Sequence, residues 1–371
     1  MKRIPAVILV VVLLLSLSGL AACNNNNPAP AGPAQQPAPG SSSSGSSSSG
    51  TGPAQPAPQA EKEKYHLSIA MTPTSMLFAN DISDVFSRHT DGRVTADVLD
   101  VNSLGSITDA VNMVRDGVLD IAFIPTTLAP GEFPVLDICA IPFFTKSYDC
   151  AVEIVDALVG AGLLDECYKK THMLYYTSTE SNVVGFTKGL VPTKMSDFAG
   201  LKIRSNAASL TDYINEVLKG TAVNIATNDV YLSLSTGVVD ATFNSPNNML
   251  LSSYADVMDT VMRQRAFANY LICLVNADLW ASFDSELQTL MMQAGKDKAE
   301  YIREFTAAVE QDNFNALAEA GVNVFEANDE LLKNMIDGSL VVQDIVEAKL
   351  NSFGIDGARV MEVARAVAAK Y

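Results

Sequence analysis

One arginine in this 371-residue chain stands where binding chemistry can be done. Gly200-Leu201-Lys202-Ile203-Arg204 is an apolar strand pattern that ends on a cation, and Tyr231 to Asp240 (YLSLSTGVVD) follows it. A guanidinium at a strand end offers a fixed fork of donors that matches a carboxylate and keeps its charge. The same side chain would also serve as a structural salt bridge between two parts of the body. Catalytic signatures are missing: there is no G-x-S-x-G, Walker loop, H-E-x-x-H or dinucleotide fingerprint. His66, His89 and His172 are scattered and adjoin no nucleophile motif. Cys139, Cys150, Cys167 and Cys273 form no C-x-x-C pair and do not lie beside histidines at metal-ligand spacing. Cys139, Cys150 and Cys273 read as small core residues, with one disulfide left open. The inventory points to binding without a cofactor, a metal or an enzymatic step.

The elements that must position Arg204 are legible from periodicity. His66 to Met71 alternates like a strand and Pro73 ends it; Met76 to Thr90 has helical spacing, closed by Gly92. Val94 to Leu99 predicts a second strand, Ser106 to Asp116 a helix, and Leu119 to Ile124 a third strand stopped by Pro125. That order demands a parallel sheet with right-handed crossovers. A helix over Tyr148 to Val159, another near 163–170, and strands at Met173 to Tyr176 and Val183 to Phe186 come next. The α/β order then repeats: a short turn at Met195 to Gly200, strand Leu201 to Arg204, helix 209–219, strand 222–225, helix 228–235, strand 238–243. Ala266 to Val275 predicts a strand returning to the first sheet. From Ser282 onward the pattern is helical, over 282–320, 328–351 and 356–370. The body, 65–371, is thus expected to be two α/β lobes joined by hinge strands, with a helical C-terminal region. Lobe I takes about 65–187 and 276–320, lobe II about 188–275 and 321–371.

The N-terminus carries an address. Met1-Lys2-Arg3, the apolar run Ala6 to Leu17 and Leu20-Ala21-Ala22-Cys23 compose a signal peptide over 1–22 ending in a lipoprotein box. Cys23 is the expected lipidation site, which would hold the chain on the outer face of a bacterial membrane. Residues 23–64, rich in Pro, Ala, Gly and Ser, show no hydrophobic periodicity and read as a flexible tether. A coil of about 40 such residues spans roughly 35 Å. A formal charge of −17 argues against nucleic acid and against adsorption on anionic lipid.

Paired α/β lobes bind ligands in the crevice where the carboxyl ends of strands converge. By that rule Thr72 and Ser75 after the first strand, Thr126 after the third and Asn206 beyond Arg204 are candidate ligand-binding residues, although ordinary turn residues would look the same. Phe143 and Phe144 read as core.

Asp197-x-x-Gly200-Leu201-x-Ile203-Arg204 and Leu232-x-x-x-x-Gly237-Val238-Val239-Asp240 together resemble the DctP-type solute receptors of TRAP transporters. Gly117-x-Leu119-Asp120-Ile121-Ala122 and Asp137 to Phe144 (DICAIPFF) are similar to two further segments of that family, so the resemblance covers essentially 65–371. It implies a periplasmic-binding-protein-like fold and an extracytoplasmic receptor that hands a small organic acid to membrane permease subunits. It implies also that Arg204 forms a bidentate salt bridge with the solute carboxylate. Asn244 matches a polar position of the family; its amide would orient the carboxylate or a neighbouring hydroxyl, or else cap the helix begun by Pro246.

The chain departs from the family in two places. Many relatives carry a second arginine just before a Phe-Thr pair; here the pair is Phe186-Thr187 and the aligned residue is Val184. The polar run Thr179-Glu180-Ser181-Asn182 supplies no cation instead. Glu180 would pair with a ligand ammonium if it faces the pocket, making an amino-acid-like solute conceivable, or would simply face solvent. Asp240-Ala241-Thr242-Phe243 also replaces the usual D-G-Q-E. Feeding an ABC importer or a sensor, rather than a TRAP permease, stays open on these residues.

Overall fold

The computed structural model describes residues 62–129 and 131–371. The signal peptide, Cys23 and the tether as far as residue 61 lie outside them. Lys62 and Glu63 are already held on the body: Lys62 pairs with Glu286, and the Glu63 carbonyl accepts from Arg93 Nε at 3.2 Å.

Strand β1 (Tyr65–Met71) leads through helices α1 (Pro73–Ala79) and α2 (Ile82–His89) to β2 (Val94–Asp100), then through α3 (Ile107–Arg115) to β3 (Ile121–Pro125). β1 lies between β2 and β3 and is parallel to both, as the alternating pattern demands. The single helix expected over 76–90 is two. Thr72 caps α1 and Pro73 starts it; Asn80 and Asp81 then break the run before α2.

After α4 (Tyr148–Gly160) the chain enters β4 (Thr171–Phe186), one strand of 16 residues where two shorter ones are expected. The intervening TSTESN looks like a loop because it lacks apolar residues, yet it is buried and extended. Several of its polar groups find partners elsewhere in the fold: Thr177 Oγ1 donates to Ala299 O at 2.8 Å and Ser178 Oγ to Tyr148 O at 3.0 Å, whereas Asn182 Nδ2 and Oδ1 are buried with none. Next come β5 (Lys202–Ser205), α5 (Ala208–Asp212) with a π-helical turn at Tyr213–Val217, β6 (Thr221–Asn224), α6 (Val230–Ser235), β7 (Ala241–Asn244) and α7 (Pro246–Leu251). β8 (Thr260–Asn276) begins six residues before the expected Ala266, at Thr260, because Arg263, Gln264 and Arg265 mask its extended start. Then follow α8 (Ala277–Ser282), α9 (Ser285–Glu319), β9 (Asn323–Phe325), α10 (Asp329–Ser352) and α11 (Gly357–Ala368).

The strands of the described residues form one sheet in the order β2-β1-β3-β8-β4-β7-β5-β6, with β9 beside β8. β4 and β8 are long antiparallel strands shared by both halves; β3 flanks β8 on one side and β7 flanks β4 on the other. At about 3.3 Å per residue β4 runs roughly 50 Å. Its register against β8 shifts between Ser178 and Ser181 and again between Asn182 and Val184. Such irregularities bend a strand and re-aim its side chains. The fold is therefore a two-lobed α/β arrangement with two continuous hinge strands and a helical C-terminal region. α9 lies along β4, and α11 packs on α4 and α10 and so bridges segments expected in different lobes.

The largest core gathers Ile154 and Val155 of α4, Phe186, Ile203 and Phe243 of the sheet, and Met335, Val360 and Ala364 of the C-terminal helices. A second, with Ile69, Phe86, Phe123 and Met291, packs α2 and α9 on the β1–β3 half. Phe144 is buried in the first of these cores and Phe143 lies against it, as expected. Cys139, Cys150 and Cys273 are buried thiols in no disulfide. No helix of the described residues is long and apolar enough to cross a membrane.

Candidate functional site

Arg204 heads the large side chains among the described residues that are essentially inaccessible, at 1% exposure. β5 carries it because Ile203 must face the core between β7 and β6; alternation then turns Arg204 the other way. Its Nε donates to Ile225 O at 3.0 Å, Nη1 to Phe243 O at 3.3 Å and Nη2 to Thr227 Oγ1 at 3.3 Å. Those bonds use three of the five N–H donors of a guanidinium. No carboxylate pairs with it among the described residues, so the structural salt bridge is ruled out there. Burial pushes its pKa down to about 10, and it stays charged at neutral pH.

The free edge of Arg204 faces a cavity of about 590 Å³. Its walls come from both halves of the sheet: the loop and helix after β1, the ends of β3 and β5, the middle of β4 and β8, and α7. Of the expected residues, Thr72, Ser75, Glu180, Arg204, Asn206 and Asn244 all line it. Thr126 does not: it is 3% exposed and the next residue, Thr127, takes its place, because the turn after β3 puts Thr127 on the cleft side.

Thr72 and Ser75 do turn work as well. The Thr72 hydroxyl accepts from Ser75 N at 3.1 Å and lies 2.8 Å from Ser75 Oγ. Asn244 is not the cap of α7; that is Ser245, whose Oγ accepts from Asn248 N at 3.2 Å. Asn244 Oδ1 instead accepts from Ser245 N at 2.9 Å and Asn248 Nδ2 at 3.2 Å, leaving its own Nδ2 buried and without a hydrogen-bond partner. Asn206 Oδ1 likewise has none. An unpaired buried donor is costly, and a solute oxygen arriving at the cleft would relieve it.

Glu180 does not face solvent. It is 7% exposed, and its two oxygens accept from Ser245 Oγ and Asn247 Nδ2, each at 2.5 Å. Burial raises its pKa, and the two hydrogen bonds oppose that shift. Val184, at the position where many relatives hold a second arginine, is 1% exposed and packed in the core. Thr227, Asn269 and Thr179 also line the cavity, and the sequence alone does not single them out. Asn269 leaves a trace in the sequence, as one amide in the apolar AFANYLICLV. Thr227 leaves none, because only the fold brings it to Arg204.

A cleft between two halves of a hinged α/β sheet, with a buried arginine at a strand end, defines a solute-binding protein. Residues 69–347 match the family described as DctP, bacterial extracellular solute-binding protein, family 7, and the chain belongs to that family. The 2,3-diketo-L-gulonate-binding periplasmic protein YiaO of Escherichia coli is 22% identical over 69% of this chain and 78% of its own length. A solute-binding protein of Chromohalobacter salexigens is 25% identical over 68% of this chain and 74% of its own. Among solved structures, a marine metagenome TRAP solute-binding protein specific for aromatic acids, in complex with 3-hydroxybenzoate, superposes with a TM-score of 0.74 at 20% identity, over 84% of this chain and 99% of that one. DctP7 of Bordetella pertussis, which binds pyroglutamic acid, gives 0.71 at 19% identity, over 81% and 99%. At these identities the structural likeness establishes the fold.

Proposed function

We propose that the chain is an extracytoplasmic receptor, lipid-anchored through Cys23, that binds a small organic acid and delivers it to the membrane subunits of a TRAP-type transporter. The observation that carries the reading is Arg204: a buried guanidinium, fixed by three protein acceptors, with no counter-charge among the described residues and two N–H groups left for a ligand. A carboxylate supplies both the missing charge and a bidentate acceptor pair. Asn244 Nδ2 stands by as a further donor to the same group or a neighbouring hydroxyl. Thr72, Ser75, Thr127 and Asn206 complete the polar wall.

Binding closes lobe I on lobe II about β4 and β8, where the register shifts of β4 give the strand its bend. Both lobes contribute to the cavity, so a bound acid bridges them and favours the closed state. The acids named for structural relatives, 3-hydroxybenzoate and pyroglutamic acid, fit a cavity of this size and support the reading.

The test is a thermal-shift screen of residues 62–371, unfolded and refolded beforehand to remove carried ligand. The panel holds aromatic acids, pyroglutamate, hexuronates, C4-dicarboxylates and neutral sugars. A ligand at 100 times its Kd adds about 2.7 kcal/mol of stability, an easily read shift. Stabilisation by acids and not by sugars is expected. Stabilisation by neutral sugars alone would remove the carboxylate from the account.

A further inference from the structure

Among the described residues Arg204 and Glu180 are the only charged side chains that line the cleft, and they do not pair with each other. Glu180 has no cation beside it among the described residues: its partners are a hydroxyl and an amide, and the charged group that acts on it is another acid, Glu310 of α9. Lys349 lines an adjoining cavity that shares Arg204 and Asn206 with the cleft, but it is committed to Asp212. The cleft thus holds one buried guanidinium and one buried carboxyl, each fixed by neutral dipoles and neither with a counter-ion among the described residues. The two are attached to neighbouring points of one segment, Arg204 through Phe243 O and Glu180 through Ser245 Oγ. Two residues of extended chain separate these points, roughly 7 Å. A solute carrying only a carboxylate would satisfy Arg204 and leave Glu180 buried and unpaired. A dicarboxylate would do worse, since its second acid finds no free cation and meets Glu180 as a like charge.

We propose that the solute is zwitterionic, a monocarboxylate whose own ammonium or amidinium group sits against Glu180. The inference rests on the carboxylate reading of Arg204 and narrows it. Each charge of such a solute replaces lost hydration by a pre-oriented partner in a site where screening is weak. Leu77, Phe78, Val101 and Ile107 on one wall and Leu251 on the other receive its hydrocarbon part.

Two matched series test the charge rather than the shape, by calorimetric titration of the refolded protein. The first is 3-(aminomethyl)benzoate, 3-(hydroxymethyl)benzoate and 3-ethylbenzoate; the second is 4-aminobutyrate, 4-hydroxybutyrate and pentanoate. The wild-type protein is expected to prefer the amine over both partners in at least one series by about tenfold or more, the size of one desolvated charge pair. Glu180→Gln keeps an acceptor for Ser245 and is expected to reduce that preference to about threefold or less. The wild-type ratio needs no variant, so the inference stays testable if Glu180→Gln folds poorly. Preference for the hydroxyl or methyl acid, or an amine preference untouched by Glu180→Gln, overturns the zwitterion and leaves the carboxylate reading standing. If no member of either series binds to folded protein, the carboxylate reading and this inference fall together.

Discussion

The Nε of Arg204 donates to the carbonyl of Ile225 at 3.0 Å, so the head group is anchored to the backbone before a ligand arrives. A guanidinium held in this way loses little freedom when a ligand arrives. Lysine cannot reproduce the arrangement: one ammonium cannot reach Ile225 O and Thr227 Oγ1 and still present a flat pair of donors. Arg204→Lys is therefore expected to fold and to bind its acid about 30-fold more weakly or worse, roughly 2 kcal/mol. Calorimetry beside a thermal melt separates that loss from misfolding; wild-type affinity would show that the fork is not used.

Ser245 joins two tasks that substitution should separate from packing. Its hydroxyl caps α7 through Asn248 N and donates to Glu180. Ser245→Ala removes the cap and one of two hydrogen bonds to a buried carboxyl, together worth about 2 kcal/mol. Urea denaturation should show that loss with an unchanged m value. A loss below a few tenths would mean that the Glu180 carboxyl is already satisfied from elsewhere.

Asp137 gives stability a pH dependence. Burial pushes its carboxyl up to about 6, against Ser209 N donating to it at 2.9 Å. The ordinary value is about 3.9, so the folded state holds this proton more tightly than the unfolded chain. The corresponding stability is present below about pH 4 and is lost as pH rises through about 6, some 3 kcal/mol in all. Asp137→Asn should lack this component. The wild-type minus variant difference, followed by urea midpoints from pH 4 to 7, should decline across that window. A flat difference would place the carboxyl at its ordinary value.

The seat of α9 on β4 depends on Gly295, where an added Cβ would stand 2.7 Å from Tyr175 Cδ1 and 3.2 Å from Tyr175 Cβ. Both residues are buried, so little room exists for retreat. Alanine favours a helix over glycine by about 1 kcal/mol, yet overpacking costs about 1–3 kcal/mol. Gly295→Ala is expected to lower Tm; a raised Tm would mean that α9 lifts from the sheet at no cost.

Much of this molecule was legible in its sequence, and the places that were not share a physical cause. β1, β2, β3 and the three C-terminal helices follow apolar periodicity because each buries one face. β4 reads as two strands because Thr177 to Asn182 are polar, and polar residues inside a buried strand are what a cleft floor consists of. The start of β8 was hidden in the same manner by Arg263, Gln264 and Arg265. Arg204 is legible because it stands near the end of β5 within the family motif, and Asn244, the last residue of β7, because it matches a polar position of the family. Thr127 displaced Thr126 by one residue, since a 3₁₀ turn after β3 sets which hydroxyl faces the cleft. Thr227 and Asn269 enter the site only through tertiary contacts that no spacing encodes.

The central claim is a carboxylate held by Arg204, and its most direct test is calorimetric titration of Arg204→Ala with the acid that stabilises the wild-type protein best. Removing one partner of a buried charge pair costs about 3–5 kcal/mol, so binding should weaken by a few hundredfold or more. The melting transition should stay cooperative, because Arg204 has no ion-pair partner among the described residues to leave stranded. Affinity within about threefold of wild type, from a folded variant, would contradict the account.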